Sequence, residues 1–410
     1  MGNGFDLYYQ LPTKYANFLN VTNYLLKSRD TTSETVGDIF GKATLQKTDS
    51  FIAKCYNDHK KEFDETTLDK DAIHEIVKLT EKNLWFLYFS KVFNKDVGWI
   101  DFEKEIGFVL KCFGNVFDKG TTLVFKHNEQ YVKFVIDTFG FLIDEAASRN
   151  SITIGAYKAN SNYCIEHPLG SGKTTINKDQ VVEKLYSELS NLARALKLYL
   201  KCFVENVCDV IKNNDAFQRI EFLSHIEKAI TFNYTNIYEE FYFNNSVFHI
   251  HGNTNSEIVL GINPNEDDQL ESIDTTFVCF KKYYQRTLFE TDTNYLRWIG
   301  ECTNEKTAYR LFTMGHSLDI TDKDIISELF LNAKEIVVLY HDLEAKKSYI
   351  TNLVNIFGKD YFDLLKKDKK LKFLCLNQDL SAIKTTLSEE SWQDIQEALR
   401  EDEVEKLISI

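Results

Sequence analysis

Four short clusters in this 410-residue chain set glycine beside polar or titratable side chains. The first is Gly2, Asn3, Gly4, Phe5 and Asp6. A G-x-G turn has no Cβ in the way, so its backbone can approach a pyrophosphate closely. The second, Thr231, Phe232, Asn233, Tyr234 and Thr235, follows the apolar pair Ala229-Ile230. That places it at the carboxyl end of a strand, where ligands bind in open α/β sheets. The same spacing also suits an Asn that caps a strand-to-helix turn. The third is His249, Ile250, His251 and Gly252. Histidines two apart on a strand share a face, which raises a metal site. No third ligand follows at suitable spacing, so no metal is expected. His251 is read instead as a base at the strand end, Gly252 as the residue permitting close approach, and His249 as an orienting or core residue. The fourth is Gly315, His316, Ser317, Leu318 and Asp319, of which Gly315, Ser317 and Asp319 are placed to line a site. Thr321 with Asp324 three residues on forms an Asp-type capping box, so Asp322 and Asp324 read as helix-start residues. A fifth group, Gly170, Ser171, Gly172, Lys173 and Thr174, imitates the tail of a phosphate loop. That loop needs Gly at 167, where the chain has His167, so a flexible loop is expected.

The elements that must position these clusters change texture along the chain. From Leu19 to Leu223 apolar residues recur at helical spacing, as in Leu185, Leu189, Leu192, Leu196 and Leu200, a stripe that reads as one long helix in a bundle. Fewer than five strands are expected there, with an irregular connection around Ser151 to Lys178. From Ile226 onward short apolar runs alternate with helical stretches: Ala229 to Phe232, Val247 to Ile250, Ile258 to Ile262, Ala308 to Met314, Glu335 to Tyr340 and Leu371 to Leu376. This alternation predicts an α/β core with a parallel sheet, built from residues 1–18 and 225–410, and a helical insertion over 19–224. A last helix is expected from Ser388 to Ile408. Only Met1 precedes Gly2 where a strand is expected. Gly2 and Gly4 should therefore be unpinned and mobile, and a form started upstream should bind nucleotide more tightly.

Composition bounds the partners. Forty-eight Lys and Arg against 62 Asp and Glu leave a net charge of −14, which disfavours broad nucleic-acid or anionic-membrane binding. No run approaches 18 uncharged apolar residues and no secretory leader opens the chain, so a cytoplasmic protein is expected. Eight cysteines without a C-x-x-C pair read as buried thiols.

Taken in order, these pieces resemble the bacterial abortive-infection family AbiH: GNGFDLYYQLPTKYANF from Gly2, WIDFEKEI from Trp99, ITFNYTN from Ile230, HIHGN from His249, VCFKKYYQR from Val278 and MGHSLDITDKDI from Met314. The resemblance implies an antiphage defence protein. A more distant similarity joins Gly2 to Pro12, Asn233 and the His251-Gly252 pair to the motifs of sirtuin-like proteins, with Asp6 in place of Ser, Leu11 in place of Ile, and Thr235 in place of Asp. It implies a Rossmann-like, mostly parallel sheet with a helical insertion, and NAD as ligand. The four-cysteine zinc module usual in deacylases of that fold is missing from the sequence, which favours cleavage of NAD itself.

The expected activity is NAD glycohydrolysis to ADP-ribose and nicotinamide during phage infection. Under that reading Asn233 holds ribose and water, and His251 acts as base. Gly2, Asn3, Gly4, Phe5, Asp6, Thr231 and Gly252 bind the nucleotide, with Gly2, Asn3 and Gly4 offering backbone N–H groups to pyrophosphate. Gly315, Ser317 and Asp319 contact it from the neighbouring strand. The alternative is a non-catalytic nucleotide-binding sensor or interaction module. A phage-derived trigger and a second copy of the chain stay open as partners.

Overall fold

The computed structural model describes residues 1–376 apart from 30–31, 46–49, 94–99, 118, 147–152, 167–173, 215–216, 218, 221–222, 225, 243–245, 264–274, 292 and 303–308. The expected helix from Ser388 to Ile408 and the loop from Gly170 to Lys173 lie outside the described residues.

Helices dominate. Lys178–Tyr199 starts on Asn177, whose side chain accepts from Gln180 N, and buries Val181, Leu185, Leu189, Leu192 and Leu196 along one face. The three- and four-residue spacing of these leucines makes that face. The stripe does not end as one α-helix: Leu200–Glu205 form a π-helical turn before α-geometry resumes at Asn206–Ile211. Around this helix the aromatic side chains pack face to face and edge to face. Phe102 stacks on Tyr15 at 4.2 Å and on Phe89 at 4.1 Å between ring centroids.

The strands correct two expectations. Ten are found among the described residues: β1 Thr122–Lys126, β2 Leu142–Ala146, β3 Thr153–Ala159, β4 Cys164–Glu166, β5 Thr174–Ile176, β6 Ala229–Thr231, β7 Val247–His249, β8 Arg310–Met314, β9 Glu335–Tyr340 and β10 Leu371–Cys375. Five of them fall between residues 122 and 176, so the expectation of a mainly helical layer with fewer than five strands fails there. β1 alternates exposed and buried residues, the period-2 pattern of a half-buried strand.

The Rossmann-like, mostly parallel sheet does not form either. The strands divide into small sheets, β1-β3-β2 and β4-β5 antiparallel, β6-β7 and β10-β9-β8 parallel, and no extended parallel sheet joins them. The run Ile258 to Ile262 makes no strand; Val259 N instead donates to His251 O at 2.8 Å and Ile262 bridges Lys281. β6 and β7 have three residues each, and the edges of β6 and β8 face one another across a cavity of about 110 Å³ rather than pairing. Among the described residues, the first two bridge that gap by backbone hydrogen bonds. Met1 N donates to Ile230 O at 2.6 Å, Phe232 N to Met1 O at 3.0 Å and Gly2 N to Met314 O at 3.2 Å. Gly2 is therefore anchored, contrary to the unpinned segment expected.

β9 is buried on both faces. Val337 and Leu339 join a core that runs without a break from Phe5 through Phe18, Trp85, Leu192 and Phe241 to Met314, while Ile336 and Val338 join a second core with Ile325, Leu353 and Leu371. Alternation along one strand thus links two packed layers. All eight cysteines are free, and five are buried: Cys55, Cys112, Cys202, Cys208 and Cys302. Among the described residues no helix is long and apolar enough to cross a membrane.

Candidate active site: a cleft with two buried carboxylate networks

β6, β7 and β8 point their carboxyl ends at one cleft of about 520 Å³, a size suited to a small ligand. Nine of the twelve sequence-named residues line it: Gly2, Asn3, Gly4, Asp6, Asn233, His251, Gly315, Ser317 and Asp319. Phe5, Thr231 and Gly252 do not. Phe5 is core, packed edge-on against Tyr9 and Tyr238. Thr231 is buried and its Oγ1 accepts from Asn233 N at 3.1 Å, which fixes the turn out of β6. Gly252 has φ +71°, and a Cβ there would collide with the Glu257 carbonyl, so the close approach it permits is to the chain's own backbone.

The glycines of the first cluster have a similar explanation. Gly2 N is spent on Met314 O, and Gly4 N donates to Gly315 O at 2.7 Å. A Cβ on Gly4 would sit 2.7 Å from Gly315 Cα, and Gly315 itself has φ +68°. The two segments pack backbone to backbone, so Gly2 and Gly4 cannot offer their amides to pyrophosphate. Asn3 is next to the cleft with its side chain accepting from Thr13 Oγ1 at 2.5 Å.

One wall of the cleft is built on Asp6, only 1 % exposed. Asn233 Nδ2 donates to Asp6 Oδ1 at 2.9 Å and to Gly2 O at 3.2 Å, and Thr235 Oγ1 donates to Asp6 Oδ2 at 2.8 Å. Burial raises the Asp6 carboxyl to about 7, although both hydrogen bonds pull the other way. Thr235, where the sirtuin-like motif has Asp, is thus a donor to an acid contributed from elsewhere. With both amide hydrogens of Asn233 committed, its carbonyl oxygen is what remains to meet a ligand. His249 supports this wall from behind: Nε2 lies 2.5 Å from Glu239 Oε1 and Nδ1 3.3 Å from Asn233 O. The two histidines therefore have separate partners, and among the described residues no three His, Cys, Asp or Glu side chains are grouped to hold a metal ion.

The other wall is charged and was not legible as a site. Lys282 Nζ, with its side chain 1 % exposed, lies 2.7 Å from Glu103 Oε2 and 2.8 Å from Asp322 Oδ1. Asp322 Oδ2 is 3.3 Å from His316 Nε2, and Asp322 Oδ1 is 3.5 Å from His251 Nε2. His316 Nδ1 accepts from Leu318 N at 2.9 Å, so its proton sits on Nε2, toward Asp322. The capping box at Thr321 is not observed. Asp319 caps the turn by accepting from Thr321 N at 3.1 Å, Asp322 makes no cap bond, and Asp324 pairs with Arg286. Asp322 and Asp324 do stand at a helix start, at the N-cap position and in the first turn of Lys323–Asn332, and Asp322 is in addition the hub of the cluster.

Electrostatics follow from this packing. Burial would raise the Asp322 carboxyl, but Lys282, His316 and His251 together hold it well below the usual carboxylate range. Burial opposes the charge on Lys282 as well, yet Asp322 and Glu103 lift its pKa above the ordinary value. Glu103 rises to about 7 because burial outweighs Lys282. His251 is pushed well below its usual value, first by burial and then by Lys282, so it is a neutral imidazole at neutral pH. Its Nε2 is buried and has no hydrogen bond. Glu103 and Lys282 lie inside the stretches WIDFEKEI and VCFKKYYQR, which the family resemblance marked but no local pattern explained.

Fold and site together define a mixed helical and β protein with a cleft at parallel strand ends and buried acid–base pairs in its walls. The sequence model of the family Bacteriophage abortive infection AbiH matches residues 1–341. The chain belongs to that family, and membership carries a role in abortive infection of phage-infected cells. No curated protein and no solved structure matches it.

Proposed function

We propose that this chain is an NAD glycohydrolase that drains NAD when phage infection triggers it. The observation that carries the reading is His251, a neutral imidazole in a ligand-sized cleft beside the carbonyl of Asn233. In the proposed step a water oxygen bonds to ribose C1′ as the C1′–N bond breaks. The bonding pair goes to the nicotinamide nitrogen, the water proton goes to His251, and His251 then releases it to solvent. Asn233 accepts a hydrogen bond from a ribose hydroxyl and so fixes the sugar. The cleft is lined by Asp101, Asp319 and Asp322 against Lys14, with Asp6 and Glu103 beside them raised to about 7. That excess of acids favours the positive charge that develops at C1′.

A second reading is nucleotide binding without turnover, because the polar groups of the cleft walls are largely paired with one another. With the Gly2 and Gly4 amides spent, the cleft has few donors for a pyrophosphate. Incubation of purified protein with NAD, alone and with lysate of infected cells, separates the readings. Nicotinamide released in step with ADP-ribose supports hydrolysis. Saturable NAD binding with no nicotinamide in either condition supports the sensor.

A further inference from the structure

The cluster around Asp322 does more than satisfy buried charges. Asp322 Oδ1 faces two groups at once, Lys282 Nζ at 2.8 Å and His251 Nε2 at 3.5 Å, and its Oδ2 faces His316 Nε2 at 3.3 Å. Lys282 is held in place from the far side by Glu103 at 2.7 Å. His316 is locked by Leu318 N, so it can only donate to Asp322. The one member of the cluster with an unspent buried nitrogen is His251. The rings of Phe232 and Tyr234 flank that imidazole at 5.5 and 6.5 Å between centroids, which leaves it little freedom to turn.

We propose that Asp322, steadied by Lys282 and Glu103, is a positioning residue for His251: it draws the imidazole proton to Nε2 and so leaves the lone pair on Nδ1 as the proton acceptor of the cleft. At 3.5 Å the pair is within ion-pair reach and longer than a formed hydrogen bond, a spacing common for catalytic pairs without ligand. A carboxylate in this role fixes tautomer and orientation, as the acid of a Ser-His-Asp triad does. Lys282 has the complementary task. The groups facing His251 are Lys282 and Arg286 from the helix Lys282–Leu288, and Asp322 and His316 from the segment after β8. The two cations, with burial, outweigh Asp322, so His251 stays unprotonated while the carboxylate orients it. This inference rests on the proposed hydrolysis for what the base does, but not for the state of the imidazole.

The test therefore has two arms. Full-length protein labelled with ¹⁵N-histidine gives the protonation state and tautomer of its nine histidines from long-range ¹H–¹⁵N spectra, with His251→Gln and His316→Gln used to assign the signals. Wild-type His251 is expected neutral with its proton on Nε2 at pH 8 and through the ordinary histidine midpoint, because burial and Lys282 hold its pKa well below that value. A proton on Nδ1, or titration at an ordinary midpoint, overturns the proposal. In the second arm Asp322→Asn is expected to lose the tautomer preference and to cut kcat for NAD cleavage by about 10²- to 10⁴-fold, with KM changed less than about threefold. An unchanged tautomer and kcat in that variant also overturn it. Should wild type release no nicotinamide, the hydrolase reading falls, and the nitrogen spectra still decide the relay. Should Asp322→Asn not fold, the wild-type spectrum decides alone.

Discussion

Asp6 and Asp322, one in each wall of the cleft, are both buried carboxylates, and they shift in opposite directions. Asp6 is met by neutral donors, Asn233 and Thr235, and its carboxyl rises to about 7. Asp322 is met by a cation and two imidazoles, and its carboxyl falls well below the usual range. Burial sets the cost of charge in both places, and the partner decides whether that cost is offset. The neutral wall is suited to recognising hydroxyls, the charged wall to holding a proton acceptor.

The comparison can be broken most severely at the residues that face the ligand from each wall. His251→Ala is expected to lose about 10²- to 10⁴-fold in NAD cleavage, the usual worth of a general base. Asn233→Ala should lose comparably, and the double variant little more than either, because groups serving one transition state are not additive. Asn233 is not a free cleft residue, however. Its removal leaves Asp6 short of a donor, at a cost of about 1–3 kcal/mol, so folded fraction must be measured beside nicotinamide release. Additive losses would mean that the walls act separately.

A smaller effect comes from removing the cation of the charged wall. Lys282→Met leaves Asp322 and Glu103 facing each other without it and should cost about 3–5 kcal/mol in urea unfolding at pH 7. The sign with pH follows from Asp322. Its folded pKa lies below the unfolded value near 3.8, so its contribution is present above that value and is lost as acid protonates the folded carboxylate. The deficit of Lys282→Met should therefore shrink on acidification, and a deficit independent of pH would show that the loss is only one of packing.

The neutral wall should answer in the opposite sense, and least. Asp6 holds its proton when folded up to about pH 7 but releases it near 3.8 when unfolded, so wild-type stability falls as pH rises through that window. Asp6→Asn keeps an acceptor for Asn233 and an amide for Thr235 Oγ1. It should equal wild type near pH 4 and exceed it at pH 8, by at most about 4 kcal/mol. Denaturant midpoints at the two pH values check this, and a variant weaker than wild type at pH 8 would remove the contrast between the walls.

The residues at the strand ends were largely legible and the buried charges Glu103, Lys282 and Asp322 were not, for a physical reason. Asn233, His251 and Gly315 follow short apolar runs, and a strand end is visible in local periodicity. Glu103 stands in the first turn of a helix, Lys282 beside Lys281, and Asp322 next to a Thr and a Lys. Each looks locally like a solvated charge, and only tertiary packing buries the three together. The same limit applied to the sheets. The runs at 229, 247, 310, 335 and 371 form strands, but periodicity names a strand without naming its partner, and β6 and β8 do not pair. The strands between 122 and 176 were overlooked because they are short and set among helices, although Thr122–Lys126 alternates cleanly.

The π-helical turn at Leu200–Glu205 sets the register between the long helix and the loops of the cleft. Its last residue, Glu205, accepts from Asn236 N at 2.7 Å and from Thr254 Oγ1, the loops that follow Asn233 and His251, while Leu196 and Leu200 on the same helix line the cleft. A π turn holds one residue more than α-geometry does. Drawing it back to α-register would turn everything beyond it by about 100° about the helix axis, one residue's share of a 3.6-residue turn. Glu205 would swing off both loops. The long helix and the turns after Asn233 and His251 are thus tied together through Glu205, so their placement in the cleft depends on the register of that helix.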